Sequence, residues 1–295
     1  MAISITPIGE NFAAEITDLD IGVPFDNAIR DAVISALDIY ATVVIRGNPV
    51  SQKKQIEFAL RFGSLDEVNG VLTTDIKRRV RPELTDVSNI DAEKKLFGRE
   101  DRRRLFNLGN RLWHTDSSFK RVAAMYSMLH AHTVVPHGGE TQICDLRAAY
   151  DALDENVKSR IMDLVAVHSI YTSRAILGFD SFSEKERRAL PPICRSLVRE
   201  HPGSKRKTLF LASHAGQVLG LTVADGRLLI GELMEHATQR EFIYTHKWRT
   251  GDLLIWDNRC TMHRVRPFDE DLYRRDMRRA TVMETEPGEV YEALD

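Results

Sequence analysis

Two segments that lie far apart in the chain contain the residue types of a metal site. The first carries His114 and Asp116, two residues apart, and the second carries His263 shortly after the apolar run 253–256. Two histidines and one carboxylate can cover one face of Fe(II) and leave its other positions open for substrates and oxygen. The three residues therefore predict a non-haem iron site that performs oxidation chemistry.

The spacing of His114 and Asp116 has two interpretations. On a β-strand, residues i and i+2 point to the same side, so both side chains could reach one metal ion. The same spacing is common by chance, and it also fits a surface hydrogen bond between the two residues, with His263 as a hydrogen-bonded core residue. A second pattern is needed to separate these interpretations.

Arginines near the end of the chain supply that pattern. Arg274 and Arg278 stand four residues apart, beside Arg275 and Arg279, and run into the apolar segment 280–282. Because strand positions four apart share a face, we expect the first two arginines to point inward and the other two to meet solvent. Inward guanidinium groups near a metal would suit two carboxylate-bearing small molecules. The alternative is an exposed basic strand.

Composition excludes several classes of protein. The 295 residues include 41 basic and 43 acidic side chains, so no overall field would attract nucleic acid or an anionic membrane. Cys144, Cys194 and Cys260 are widely spaced, which favours neither a disulfide framework nor a zinc ribbon. The chain shows no secretory signal and no apolar run of ~18 residues. We expect a cytoplasmic protein of one domain, residues 1–295.

The periodicity of apolar residues predicts interleaved strands and helices. The segment 68–111 is charged and irregular, and such a long stretch inside a compact protein is commonly a lid or binding loop. Short strands are expected at 3–21, 41–45, 242–248 and 253–256, and helices at 27–40, 51–62, 145–164 and 222–238.

Several longer motifs resemble a known family. The chain is similar to the taurine dioxygenase-like group of Fe(II)/2-oxoglutarate-dependent dioxygenases, and within it to the branch that oxidises aryloxyacetate herbicides. The motifs that carry the resemblance are Leu-Trp-His-Thr-Asp-Ser-Ser-Phe at 112–119, Tyr-Ser-Met-Leu at 126–129, Gly-Gly-Glu-Thr at 138–141, 145–153, 235–242 and Trp-Asp-Asn-Arg at 256–259.

The resemblance implies a mixed α and β fold, a double-stranded β-helix (jelly roll) core with flanking helices. It also implies roles for individual residues. Fe(II) would be bound by His114, Asp116 and His263, the distal carboxylate of 2-oxoglutarate by Thr141 and Arg274, and the primary substrate by Arg278 and Asn110.

The activity implied is hydroxylation of the carbon next to the carboxylate of an aryloxyalkanoic acid such as 2,4-dichlorophenoxyacetate. The products would be a phenol and glyoxylate, with succinate and CO2. The cofactors implied are Fe(II), 2-oxoglutarate and O2, with ascorbate as an activator. The partner would be a small carboxylic acid, with no nucleic acid and no membrane, and homo-oligomerisation stays open.

Other functions fit parts of the pattern. An alkyl sulfonate such as taurine could replace the aryloxy acid, because arginine accepts either anion. A zinc hydrolase could use the same three ligands, and a jelly-roll binding module would need no metal. An aryl ring requires a wide, apolar pocket, whereas an aminosulfonate requires a narrow, polar one.

The remaining histidines have no assigned role in the chemistry. His130 and His132 lie in an apolar stretch, which favours a structural role. His214 and His246 are left unassigned, although either could border the site.

Overall fold

The computed structural model describes residues 3–9, 12–67 and 78–291. No helix in these ranges is both long enough and apolar enough to cross a membrane. The strands are β1 Ser4–Pro7, β2 Ala14–Thr17, β3 Thr42–Ile45, β4 Thr85–Asp86, β5 Val122–Thr133, β6 Thr141–Asp145, β7 Val165–His168, β8 Ile193–Ser196, β9 Val198–Glu200, β10 Lys207–Leu209, β11 Ala215–Val218, β12 Ile243–His246, β13 Leu253–Asp257, β14 Thr261–Val265, β15 Asp276–Pro287 and β16 Glu289–Val290. The helices are α1 Asn27–Tyr40, α2 Gln52–Ala59, α3 Arg102–Asn107, α4 Leu146–Asp151, α5 Glu155–Ile161, α6 Ile170–Ile176, α7 Glu184–Ala189 and α8 Val223–Ala237.

Two facing sheets form the core of the molecule. The larger has the strand order β1-β2-β3-β13-β5-β15-β4, and the smaller has the order β12-β6-β14. Leu129 and Trp256 of the larger sheet pack in one apolar cluster with Ile143 and Tyr244 of the smaller sheet. This arrangement of strands around a common core confirms the predicted jelly roll.

The position of β13 at the centre of the larger sheet explains why its sequence is apolar. β13 pairs antiparallel with β3 on one side and with β5 on the other, and all five of its residues are buried. A strand that is covered on both faces reads as a continuous apolar run rather than an alternating one. The predicted strand at 253–256 is therefore confirmed as the middle of the sheet.

Helices cover the outside of the core, as expected. α1 begins after Asp26, whose carboxylate accepts a hydrogen bond from the Ile29 amide, and its buried face includes Val33 and Leu37. α1 and α2 pack on the outer face of the larger sheet. The predicted helix at 145–164 is instead two short helices, α4 and α5, because Asp154 begins a new helix.

The predicted lid falls partly on described residues. Residues 68–77 lie outside the described ranges, whereas 78–111 include β4, α3 and a 3-10 turn at Leu108–Arg111. Arg79 attaches this segment to the core, because its guanidinium reaches Asp86 at 2.7 Å, Ser88 at 2.7 Å and Asp276 of β15 at 2.8 Å. Both the single domain and the lid remain predictions.

Candidate active site

A short backbone pairing brings the predicted metal ligands together. The amide of His114 donates to the carbonyl of His263 at 3.0 Å, and the amide of His263 donates back at 2.8 Å. The expectation that His114 and Asp116 share a strand is wrong, because only His114 forms a bridge and the chain turns at Ser117, whose φ is 52°. The turn nevertheless directs the Asp116 carboxylate toward both imidazoles.

The three side chains are buried and converge. The Nε2 atom of His114 lies 3.7 Å from Asp116 Oδ1, and the Nε2 atom of His263 lies 3.5 Å from Asp116 Oδ2. One ligand atom from each residue lies within 4.8 Å of the others. This spacing allows all three to contact one ion.

Burial sets the charge state of this cluster. Burial lowers the pKa of both His114 and His263, so both imidazoles are neutral and keep a lone pair for a metal. His114 Nδ1 lies 2.8 Å from the Leu112 carbonyl; this contact holds the proton on Nδ1 and leaves Nε2 as the ligand atom. Burial alone would raise the pKa of Asp116, but Arg279 and the two histidines hold it below its usual value.

Two further residues orient the Asp116 carboxylate. Ser127 Oγ donates to Oδ2 at 2.6 Å, and Arg279 Nη1 donates to Oδ1 at 2.5 Å. The Asn258 side chain links the two segments, because its Oδ1 accepts from the Asp116 amide and its Nδ2 donates to Ser127. Such outer contacts fix a ligating carboxylate in place. The donor set of two neutral imidazoles and one oriented carboxylate fits Fe(II).

The prediction for the arginines is wrong by one residue. Arg274 is exposed, whereas Arg275 is buried with 4% of its surface exposed. Arg278 points away from the triad and pairs with Asp276 at 3.7 Å, whereas Arg279 contacts Asp116. The inward arginines are therefore Arg275 and Arg279.

The pairing of β15 with β5 gives the physical reason. Thr281 lies opposite Ser127, which contacts Asp116, and the side chain of Arg279 donates to the Thr281 hydroxyl on that same face. Arg278 lies opposite His130, on the face that packs against the outer helices. Successive strand residues alternate between faces, so a shift by one position exchanges the two arginines.

Arg275 is a buried cation, and no carboxylate in the described part of the chain forms an ion pair with it. Its Nη atoms lie 3.3 Å from the Val87 carbonyl and 3.4 Å from the Gly139 carbonyl, and its Nε is buried without a hydrogen-bond partner. Burial lowers the pKa of this guanidinium to about 10. A buried cation with unused donors requires an anion.

The region around Arg275 also contains Thr141. A cavity of about 40 Å³ is lined by Arg275, Val265 and Asn110, among others. Val265 lies opposite Thr141 in the β14–β6 pairing, and the Thr141 hydroxyl accepts a hydrogen bond from Trp248 Nε1 at 3.1 Å. Thr141 is therefore the strand neighbour of a residue that lines the cavity of Arg275.

A larger cavity of about 280 Å³ opens in front of the triad. Its lining includes His114, Asp116 and Arg279. Its apolar lining comes largely from the 78–111 segment and from the turn after the triad: Val80, Leu84, Val87, Ile90, Phe97, Phe106 and Phe119. The cavity therefore has apolar walls and a positively charged side chain, Arg279, next to the predicted metal ligands.

The other predicted polar residues have separate positions. Asn110 lines both cavities, and its role on the substrate side remains a prediction. His214 also lines the larger cavity, and its Nδ1 lies 2.8 Å from Ser173 Oγ. His130 and His132 stack on each other in β5, away from the triad, and His246 pairs with Asp252 at 3.2 Å.

A second cluster has ligand-type residues but a different environment. His201, Asp257 and Cys260 lie close together and are fully buried. The Asp257 carboxylate is already occupied, because it accepts hydrogen bonds from His201 Nε2 at 2.9 Å and from Arg259 at 2.6 Å. Neither cavity described above includes this cluster, and its contacts are those of a structural ion pair.

Sequence reasoning missed Ser127, Asn258 and the two inward arginines. Ser127 belongs to the motif at 126–129, but nothing in its type or spacing indicates that it contacts a residue eleven positions earlier. The signal that selects Arg275 and Arg279 is the register of β15, which only the pairing with β5 shows.

Comparison with known proteins agrees with this geometry. The family model described as taurine catabolism dioxygenase TauD, TfdA family, matches residues 4–281. A 2,4-dichlorophenoxyacetate dioxygenase of Cupriavidus pinatubonensis, described as alpha-ketoglutarate-dependent, is 44% identical over 96% of this chain and 99% of its own length. An (S)-phenoxypropionate/alpha-ketoglutarate-dioxygenase of Sphingobium herbicidovorans is 33% identical over 91% of each chain.

Solved structures give the same picture of the fold. The crystal structure of AAD-2 in complex with Mn(II) and N-oxalylglycine superposes with a TM-score of 0.94 at 45% identity, and covers 97% of this chain and 99% of that chain. A taurine dioxygenase from Burkholderia xenovorans superposes with a TM-score of 0.77 at 24% identity, over 97% of this chain and 91% of that one, a likeness of fold alone.

Proposed function

Because the chain belongs to the TauD/TfdA family of dioxygenases, we propose that it is an Fe(II)- and 2-oxoglutarate-dependent dioxygenase of aryloxyalkanoic acids such as 2,4-dichlorophenoxyacetate. The observation that carries this proposal is that three converging metal-ligand side chains lie at the wall of an apolar cavity, with an arginine next to them. Relatives named for 2,4-dichlorophenoxyacetate and for phenoxypropionate support the substrate class.

The proposed roles follow from charge and position. His114, Asp116 and His263 hold Fe(II), which would supply the activation of O2 with 2-oxoglutarate as the reductant. Arg275 and Thr141 hold the distal carboxylate of 2-oxoglutarate, because the unused donors of Arg275 need an anion. The solved relative that contains Mn(II) and N-oxalylglycine supports a metal and an oxo-acid ligand in such a site.

Arg279 and the apolar walls would bind the primary substrate. The guanidinium lies at the cavity, next to the triad, so an acid group held there would place the adjacent carbon close to the metal. The aryl ring would contact apolar side chains such as Leu84, Phe97 and Phe119. A chamber with these apolar walls favours an aromatic acid over taurine, which has no large apolar group to bury there.

The reaction requires little acid-base work from the protein. Insertion of one oxygen atom into the C–H bond between the ether oxygen and the carboxylate gives a hemiacetal, which breaks down to a phenol and glyoxylate. The second oxygen atom enters succinate, and CO2 is released. The chain contributes orientation through Arg279 and exclusion of water through the segment 78–111, which we propose acts as a lid within a single domain.

The test is turnover by purified protein with Fe(II), 2-oxoglutarate, ascorbate and air. We expect 2,4-dichlorophenoxyacetate to stimulate succinate formation, with one phenol released per succinate. Stimulation by taurine in place of the aryloxy acid would contradict the substrate class, and no succinate with any acid would contradict the dioxygenase reaction.

A variant of the metal ligand makes the test specific. His114→Ala is expected to abolish both turnover and the rise in melting temperature that Mn(II) produces in the unsubstituted protein, because ligand binding stabilises the folded state. His132→Gln, on the opposite face of β5 from the triad, serves as the matched control and should keep both.

A further inference from the structure

Arg174 is a buried arginine of the large cavity that the roles proposed above leave unused. It belongs to α6, has 5% of its surface exposed and lines the cavity together with His214 and Phe106. Its Nη1 donates to Ser173 Oγ at 3.1 Å, and its Nε is buried without a hydrogen-bond partner. Among the described residues, no carboxylate forms an ion pair with it.

The neighbours of Arg174 hold its guanidinium in one place. The carbon of the guanidinium lies 4.2 Å from the centre of the Phe106 ring, a cation–π contact. Gly109 leaves the necessary room, because a Cβ atom at that position would lie 2.0 Å from Nη1. Burial lowers the pKa of Arg174 to about 10, so the group stays charged at neutral pH. The result is a fixed cation with unused donors.

Arg174 and Arg279 line the same cavity but contact different residues. Arg279 contacts Asp116 directly. Arg174 and His214 both contact Ser173, and the centre of the His214 ring is 6.1 Å from that of His114. A substrate whose acid group is held by Arg279 would therefore share the chamber with a second cation, that of Arg174. A buried charge without a partner is costly, so an anion beside Arg174 would be stabilised.

We propose that Arg174 is a specificity-determining residue that binds an anionic oxygen substituent on the aromatic ring of the substrate, remote from the oxidised carbon. This inference rests on the proposed function and narrows its substrate class. Among aryloxyalkanoic acids, the protein would prefer those whose ring carries a second acceptor group, of which a ring carboxylate is the simplest. A guanidinium fork binds such a group through two parallel hydrogen bonds.

The experiment compares phenoxyacetate with its 3-carboxy and 4-carboxy derivatives as probes. Affinity is measured by calorimetry without oxygen, on protein loaded with Fe(II) and 2-oxoglutarate, and kcat/KM is measured from succinate formation. We expect at least one carboxylated probe to bind about tenfold more tightly than phenoxyacetate. Arg174→Gln should abolish this preference and leave the affinity for phenoxyacetate within about threefold.

Two further variants separate specificity from folding. Arg174→Met keeps the stem beside Phe106 without the charge, and it should lose the preference as the glutamine variant does. Arg199→Gln is the matched control, because Arg199 also stacks on a phenylalanine, 4.0 Å from the Phe210 ring centre, but is not among the residues that line the cavity. It should keep the preference.

Two results would overturn the inference. One is an unsubstituted protein that binds all three probes equally. The other is an equal loss of affinity for all three probes in the Arg174 variants, which would make Arg174 a structural residue or an anchor for the shared acid group. Absence of phenol release from phenoxyacetate would instead contradict the proposed function, and the calorimetric comparison does not depend on turnover.

Discussion

Neighbouring arginines of one strand have opposite environments in this protein. Arg275 is buried beside the small cavity and Arg279 contacts Asp116, whereas Arg274 is exposed and Arg278 pairs with Asp276 on the outer face. Each inward arginine therefore has an adjacent control of the same type. Replacing each inward arginine and its neighbour in separate variants tests the assignment, because both members of a pair have the same side chain.

The first pair concerns 2-oxoglutarate. Arg275→Gln is expected to raise the KM for 2-oxoglutarate about 100-fold, or ~3 kcal/mol, because charge-assisted hydrogen bonds to its carboxylate would be lost. Arg274→Gln should leave the KM unchanged, since its side chain is exposed. Steady-state kinetics at saturating aryloxy acid measure both. A larger rise in this KM for Arg274→Gln than for Arg275→Gln would show that Arg274 holds the carboxylate of 2-oxoglutarate, as predicted from the sequence.

The second pair concerns the primary acid. Arg279→Gln is expected to raise the KM for 2,4-dichlorophenoxyacetate by about 100-fold, whereas Arg278→Gln should change it by less than about threefold. The comparison is made at saturating 2-oxoglutarate, with succinate formation as the readout. Equal effects of the two substitutions would show that the acid group is held elsewhere.

Residue types and family motifs together selected three candidate metal ligands that converge in the structure, but they selected the wrong arginines. His114, Asp116 and His263 were predicted from their chemistry and from family motifs, and the structure brings them together. In the pattern Arg-Arg-x-x-Arg-Arg, the first and third arginines have the same spacing as the second and fourth. The spacing of the charges therefore cannot show which pair faces inward. The choice depends on which residue lies opposite Ser127, a contact between distant parts of the chain.

Local elements follow from local sequence where a cap or an apolar stripe is strong. Asp26 begins α1, and Thr222 begins α8 through a side chain that accepts from the Asp225 amide. The segment 78–111 could not be predicted in the same way. It is held by ion pairs with residues far along the chain, of which the contact of Arg79 with Asp276 is the most buried.

The Arg79 contacts lead to a prediction for this segment. Arg79→Gln would leave the carboxylates of Asp86 and Asp276 without their main partner, and loss of one member of a buried pair costs about 3 kcal/mol. We expect a lower melting temperature and faster proteolytic cleavage within 78–111. Arg99→Gln is the control, because Arg99 pairs with Asp271 while 79% of its side chain is exposed. Equal protease resistance of the two variants would argue against this anchoring role.

At the scale of the whole molecule, burial lowers the pKa of seven histidines among the described residues. Burial lowers the pKa of His132 to about 4 and that of His168 to about 3. Burial likewise lowers the pKa of His114, His130, His214, His246 and His263. The fold therefore favours the neutral form of each of these side chains.

These shifts predict acid lability. The ordinary histidine pKa is about 6.5, so below that pH the unfolded chain binds more protons than the folded protein does. The free energy of unfolding should be fully retained above pH 6.5 and fall as the pH drops toward 4, by about 1.4 kcal/mol per pH unit for each such histidine. Urea denaturation between pH 7.5 and 5 measures the slope.

A single substitution checks the origin of that slope. His132→Gln removes one of these groups from the half-buried outer part of β5, and proton uptake on unfolding should fall by about one proton between pH 4 and pH 6.5. An unchanged slope would assign the acid lability to other groups.

The two cavities share part of their walls. Under the proposed roles, one stretch of chain would border the co-substrate and the primary acid at once, because five residues line both cavities: Val87, Ser88, Phe97, Asn107 and Asn110. Any ordering of that stretch by one ligand changes the free energy of binding of the other. Thermodynamic linkage makes the effect reciprocal: the factor by which an aryloxy acid tightens the binding of 2-oxoglutarate equals the factor by which 2-oxoglutarate tightens the binding of the acid. The shared wall thus gives the protein a means of discriminating against acids that fit the chamber poorly, through their failure to retain the co-substrate.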